Sequence, residues 1–115
     1  MKRLAIPVEK GKLSEYFGKC NHYQLFMIDN SGIKGEDIKV PPRIELIKLP
    51  EWAAKQGITD IITYKIDKQI INEFANHKIN LFVGVEITFP EHLVIKFLNG
   101  KLKSNEKIIH EIIEY

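Results

Sequence analysis

The chain has a single cysteine, Cys20, among its 115 residues. That excludes an internal disulfide and any zinc or iron–sulfur pattern built from cysteines alone, and it suits a reducing compartment. Long apolar runs are also lacking, since nothing approaches the ~18 residues a membrane helix needs. The opening MKRLAIPVEK has basic residues, but its apolar run is too short for the core of a secretion signal. The expectation is a cytoplasmic protein with no membrane partner. The net charge of +2 is too small to argue for nucleic acid. Catalytic signatures are absent too: there is no Ser-His-Asp order, phosphate-binding glycine loop or HExxH.

What remains is an ordinary globular composition, 44% hydrophobic and 28% charged. It suits one domain with a real core. No internal repeat, linker or low-complexity segment divides the chain. Leu4-Ala5-Ile6-Pro7-Val8 reads as a central strand, locally unpaired or bulged on one side near Pro7, which cannot donate to a ladder. Glu9 to Lys12 is a turn. A loop over 13–22 feeds an aromatic-rich strand over 23–29, which Asp29-Asn30-Ser31-Gly32 closes as a hairpin turn. Ile33 to Val40 returns as an edge strand.

The period then changes from two to that of a helix. Pro42 can occupy a first helical turn, and Ile44, Ile47, Trp52, Ala53 and Gln56 keep helical spacing up to Gly57, with Pro50 as a kink or a new start. Strands follow over 58–63 and 80–84. Between them Asp67 caps a helix whose staple is Ile66 and Ile71, and whose buried face is Ile70, Ile71 and Phe74. Thr88-Phe89-Pro90-Glu91 has capping-box spacing ahead of a helix with Leu93, Val94, Phe97 and Leu98 inward. Ile108, Ile109, Ile112 and Ile113 favour a C-terminal amphipathic helix over 105–115, buried on its own domain or on a partner. The order implies an α/β protein, a mixed sheet with helices on its faces.

Tyr16-Phe17-Gly18-Lys19-Cys20-Asn21-His22 gathers aromatic, soft-ligand and basic groups in one loop. Loops on a rigid scaffold are where binding chemistry sits. Cys20 and His22 supply a thiolate and an imidazole, both metal ligands, and on a strand they would share a face. Lys19 would favour the thiolate. Against this, two ligands do not close a site, and a free cysteine is commonly a small buried hydrophobe. Phe17-Gly18 reads first as a turn anchored in the core. His77, His92 and His110 read as surface residues and Trp52 as core. Glu36/Asp37 and Glu111/Glu114 read as solvated faces. Asp29, Glu45 and Asp60 would make a two-metal nuclease site only if the fold gathered them.

Several stretches together resemble the dinitrogenase iron–molybdenum cofactor biosynthesis family, which includes the nitrogenase cofactor carrier and the C-terminal part of the cofactor-assembly radical enzyme. They are Ala5-Ile6-Pro7-Val8, Tyr16-Phe17-Gly18 with Tyr23, Ala54 to Ile62, the 67–76 helix, Lys78 to Phe82, and Phe97 to Leu102. The resemblance implies a ribonuclease H-like three-layer fold, with a five-stranded sheet in order 3-2-1-4-5 and strand 2 antiparallel. It implies a domain over 1–102 with a helical extension over 103–115. It also implies non-catalytic binding or delivery of an iron–sulfur or iron–molybdenum-type cluster, with a donor or acceptor protein as partner, to a monomer or homodimer.

The departures from the family fall at the loops. Its histidine before Phe-Gly is Tyr16 here, and Val40-Pro41-Pro42-Arg43 replaces a Gly- and His-rich loop. The glycine-rich turns after strands four and five become Tyr64-Lys65-Ile66-Asp67 and Val83-Gly84-Val85-Glu86. The expected contacts are Tyr16, Phe17, Gly18, Cys20 and His22, with Cys20 and His22 as metal ligands. The alternatives are an interaction or regulatory module that binds no cluster, and, through the fold type alone, a nuclease.

Overall fold

A computed structural model describes residues 1–105, 107 and 108. Its centre is β1 (Lys2–Glu9). A tight turn through Lys10 and Gly11, both at positive φ, leads into a two-residue strand, β2 (Lys12–Leu13), which folds back on β1. Then β3 (His22–Asp29) and β4 (Gly32–Lys39) form a hairpin. A 3-10 turn (Leu46–Lys48) runs into α1 (Leu49–Lys55). The remaining elements are β5 (Asp60–Ile62), α2 (Lys68–Asn76), β6 (Asn80–Phe82) and α3 (Pro90–Leu98).

The sheet order is β4-β3-β1-β5-β6, with β3 antiparallel to β1 and with β5 and β6 parallel to it. This is the mixed five-strand order expected, with β4 at the edge, and β2 is an extra strand that only the turn had hinted at. Alternation along β1 sends Leu4, Ile6 and Val8 to one face and Ala5 to the other. On the first face they pack with Phe26, Ile28 and Ile62 under Leu93 and Val94 of α3. On the second, Ala5, Tyr23, Leu25 and Ile61 pack under Leu49 and Ala53 of α1 and Ile70 and Phe74 of α2. Three layers result.

Pro7 acts as its chemistry requires. β5 pairs with β1 only at Leu4 and Ala5, and beyond Pro7 the partner on that side is β2, through Val8↔Leu13. The Pro7 carbonyl accepts from Ser14 N–H at 2.9 Å on the same side. Asp67 caps α2 by accepting from Gln69 N–H at 2.9 Å, and Ile66 is buried as a staple should be.

Other expectations fail locally. Residues 41–45 are not helical, because Pro50 begins α1 anew, and Ile44 and Ile47 are left exposed. The N-cap of α3 is Phe89, without a side-chain cap, and the Thr88 hydroxyl lies 3.2 Å from His92 Nδ1 instead. Leu98 is exposed. Of the C-terminal isoleucines, Ile108 is buried against the α1/α2 face, while the other three lie outside the described residues.

Phe74 has no exposed surface and meets the Phe17 ring edge-on at 5.5 Å. Phe74→Ala is therefore expected to cost about 3–5 kcal/mol in denaturant unfolding. Ile95→Ala, on the exposed side of α3, should cost under about 1 kcal/mol.

Candidate cofactor-binding edge

Parallel strands β1, β5 and β6 end at the same edge, the usual ligand edge of an open α/β sheet. Their loops are tied to one another by backbone bonds. Phe17 N–H donates to Lys65 O at 2.8 Å, Lys65 N–H to Glu15 O at 3.1 Å, and Gly84 N–H to Tyr64 O at 2.9 Å. The described part of the C-terminal segment joins this edge too: Ser104 Oγ accepts from Val83 N–H at 3.0 Å, and Asn105 N–H donates to Val83 O at 2.8 Å.

Within the first loop, Tyr16 to Lys19 is a turn closed by Lys19 N–H to Tyr16 O at 3.0 Å, with Gly18 at φ +98° in its third position. Such a turn needs positive φ there, hence glycine. A Cβ on Gly18 would also collide with the Leu46 side chain. The buried Ser14 hydroxyl lies 2.9 and 2.8 Å from the carbonyls of Tyr16 and Lys19, and holds the turn from inside. Phe17 is buried and anchors the loop. Tyr16 is 44% exposed, with the Lys19 and Lys65 ammoniums 5.3 and 5.5 Å from its ring centre.

Cys20 is half-buried and packs against the α1/α2 face. It lines an open groove of about 300 Å³ with Gly18, Asn21 and Tyr23 on one side and Val40 to Ile44, Leu46 and Leu49 on the other. β3 starts beside the end of β1, so the groove sits at the carboxyl edge. Its far wall is the connection from β4 to α1.

His22 does not share that face. It stands in register with Val8, whose side chain belongs to the α3 side. Regular strand begins only at His22, so the two-residue spacing from Cys20 carries no common orientation. The loop thus brings Gly18 and Cys20 to the groove, while Tyr16, Phe17 and His22 point elsewhere. Tyr23, Arg43 and the apolar wall complete it. The sequence reading took Tyr23 as strand core, Val40 as a strand end and Pro42 as a first helical turn, and noted 40–43 as a departure from the family. Among the described residues no three of His, Cys, Asp and Glu gather as a metal site, the trio Asp29, Glu45 and Asp60 included.

Lys19 does not activate the thiol. Burial pushes Cys20 up to about 11; a backbone hydrogen bond offsets part of this and the charge of Glu9 adds to it. The Lys19 ammonium rests over Tyr16 instead. Burial also raises the Tyr23 phenol, with Cys20 a smaller cause.

A three-layer α/β domain with an open, thiol-bearing carboxyl edge is the class that this fold and groove define. The chain belongs to the dinitrogenase iron-molybdenum cofactor family, whose sequence profile matches residues 1–100. An uncharacterised protein of Methanocaldococcus jannaschii is 25% identical over 109 residues, covering 90% of this chain and 92% of its own. The crystal structure of the protein PH0822 superposes with a TM-score of 0.79 at 25% identity, covering 90% of this chain and 96% of that one. The apo form of the orange protein from Desulfovibrio gigas shares the fold with a TM-score of 0.75 at 16% identity, covering 91% and 93%.

Two pH dependences follow from the groove. At pH 8 a thiol near 11 is about one part in a thousand thiolate, so iodoacetamide should label Cys20 at least about a hundredfold more slowly than a free cysteine. The rate should climb tenfold per pH unit to about 11; a plateau near pH 9 would contradict the burial. In the unfolded chain the same thiol ionises near 9, so above that pH the unfolded state holds fewer protons than the native state. Thermal stability should therefore fall from pH 9 upward, less steeply in Cys20→Ala.

Proposed function

We propose that this protein binds an iron–sulfur-based metal cofactor, or a precursor of one, at the carboxyl-edge groove and passes it on without catalysing a reaction. The observation that carries the reading is the placement of the only cysteine in an apolar-walled groove at that edge, in a chain of the dinitrogenase cofactor family. Resident iron–sulfur clusters are held by several thiolates. One thiol fits a different task, holding a preassembled cluster that brings its own sulfides as cargo. Cys20 is the proposed ligand atom. Arg43 supplies a fixed positive charge at the groove for an anionic cluster, and Gly18 lets the loop lie close to Leu46.

Phe17 and Tyr16 act indirectly, one anchoring the loop and the other setting two lysines on its rim. His22 can serve as second ligand only if residues 18–22 leave their present path, since it starts on the opposite face. The partners are a donor and an acceptor of the cluster. A second reading has one specific observation behind it: exposed Val40, Ile44 and Leu46 rim the groove. On that reading the edge docks a protein and carries no metal.

Anaerobic reconstitution with iron and sulfide, read by absorbance and metal content, tests both. Wild type should take up a cluster, Cys20→Ser should lose most of it, and His22→Ala should keep the larger part. No uptake by wild type, or equal uptake by Cys20→Ser, overturns the cargo reading.

A further inference from the structure

β4 is unusual among the strands here in being open on both faces and along its outer edge. No residue of it is fully buried, and Ile38 at 57% and the following Val40 at 73% exposure are more open than most apolar side chains in the chain. A strand edge of this length is a template for pairing with another strand. Its charges decide which partner fits. Asp37 and Lys39 project to one face, opposite Leu25 and Tyr23, while Glu36 and Ile38 project to the other, opposite Phe26 and Gln24. Directly opposed residues of an antiparallel pair share a face, so a two-fold axis through the edge must pass through a residue.

The possible centres can be taken in turn. Centring on Glu36 or Asp37 sets two carboxylates face to face, and centring on Lys39 sets two ammoniums face to face. Centring on Gly35 runs into Lys34, the extra residue of a bulge between Met27 and Ile28, which breaks the alternation. Only Ile38 remains. There Ile38 meets its own copy on the axis, Asp37 faces Lys39 of the second copy, Lys39 faces Asp37 of the second copy, and Glu36 lies against Val40. The Ile38 N–H donates to the exposed Asp37 carboxylate at 2.8 Å, a local partner that a neighbouring strand's carbonyl can replace. Asp37 and Lys39 lie 3.7 Å apart within the chain, so both charged groups are already at that edge.

We propose that two copies of this protein associate through antiparallel pairing of β4 about a two-fold axis at Ile38. The contact spans about five residues a side and extends the sheet across both copies. It lies on the edge strand, apart from Cys20, and does not depend on the cofactor reading.

Analytical ultracentrifugation of the full chain up to about 1 mM, at low salt, tests it without any metal. Wild type should shift reversibly toward the dimer as concentration rises. Asp37→Lys and Lys39→Asp each set like charges opposite one another twice, and each should weaken association at least about tenfold. The double variant Asp37→Lys/Lys39→Asp restores unlike pairs and should return to within about threefold of wild type. An equimolar mixture of the two single variants should form a heterodimer, since every charged pair across it is then unlike. Asp37 is exposed and Lys39 partly so, and unchanged melting confirms that each variant is folded. Wild type that stays monomeric to 1 mM overturns the proposal. So does self-association that the single variants leave intact, which would put the contact on another surface such as α3, or a mixture that behaves as its separate components.

Discussion

The missing N–H of Pro7 is the constraint on which the useful edge of this fold depends. A strand residue's N–H and C=O point the same way, and the Pro7 carbonyl is taken by Ser14 on the β2 side. The absent donor therefore lies on that side too, and β5 has nothing to bond there beyond Ala5. β1 keeps its antiparallel ladder with β3 through seven registered pairs and changes partner on the other flank. Where β5 parts from β1, the first loop returns to bond Lys65 and Phe17 enters the core. A proline in a central strand would otherwise be a defect. Here it opens the sheet at its carboxyl end, the usual ligand edge of such folds.

The architecture was readable because local signals agreed with one another. Strand period gave way to helix period after Val40, Asp67 and Ile66 marked one helix start, and Asp29 to Gly32 marked a hairpin. Each is a short-range preference that the tertiary packing then reinforces. The failures lie where a short-range rule was carried past its element. Pro50 starts the helix anew, one of the two roles expected of it, but helical spacing was also carried back to Ile44, which was read as inward and is exposed. The face shared by Cys20 and His22 assumed strand geometry two residues before the strand begins.

The candidate site was half legible for a related reason. The loop 16–22 could be picked out by its residue types, but the opposite wall of the groove comes from 40–49, on the far side of β3 and β4 in the chain. Those residues meet only because β3 and β4 form a hairpin that returns the chain to the end where it started. The sign of the thiol's perturbation was equally hidden. A neighbouring lysine in sequence suggests an activated cysteine, yet the Lys19 side chain turns to the Tyr16 ring while Cys20 packs toward the core. Desolvation then outweighs a charge that points away.

That perturbation bears on the proposed carrier role. A metal must displace the thiol proton, so a pKa moved from 9.0 to about 11 weakens apparent metal affinity at neutral pH by about a hundredfold relative to an ordinary thiol. For a resident cofactor this would be a poor arrangement, since several ligands would each have to be held ionised. For cargo it works in the right direction. On that role, a single protonatable ligand in an open groove would grip a cluster weakly enough to lose it to an acceptor with more thiolates, and reprotonation of Cys20 would then oppose its return. On the proposed role, the apolar wall of the groove would lie against the cluster. Burial that makes Cys20 a poor nucleophile would, by the same physics, make it a releasing ligand on the proposed role.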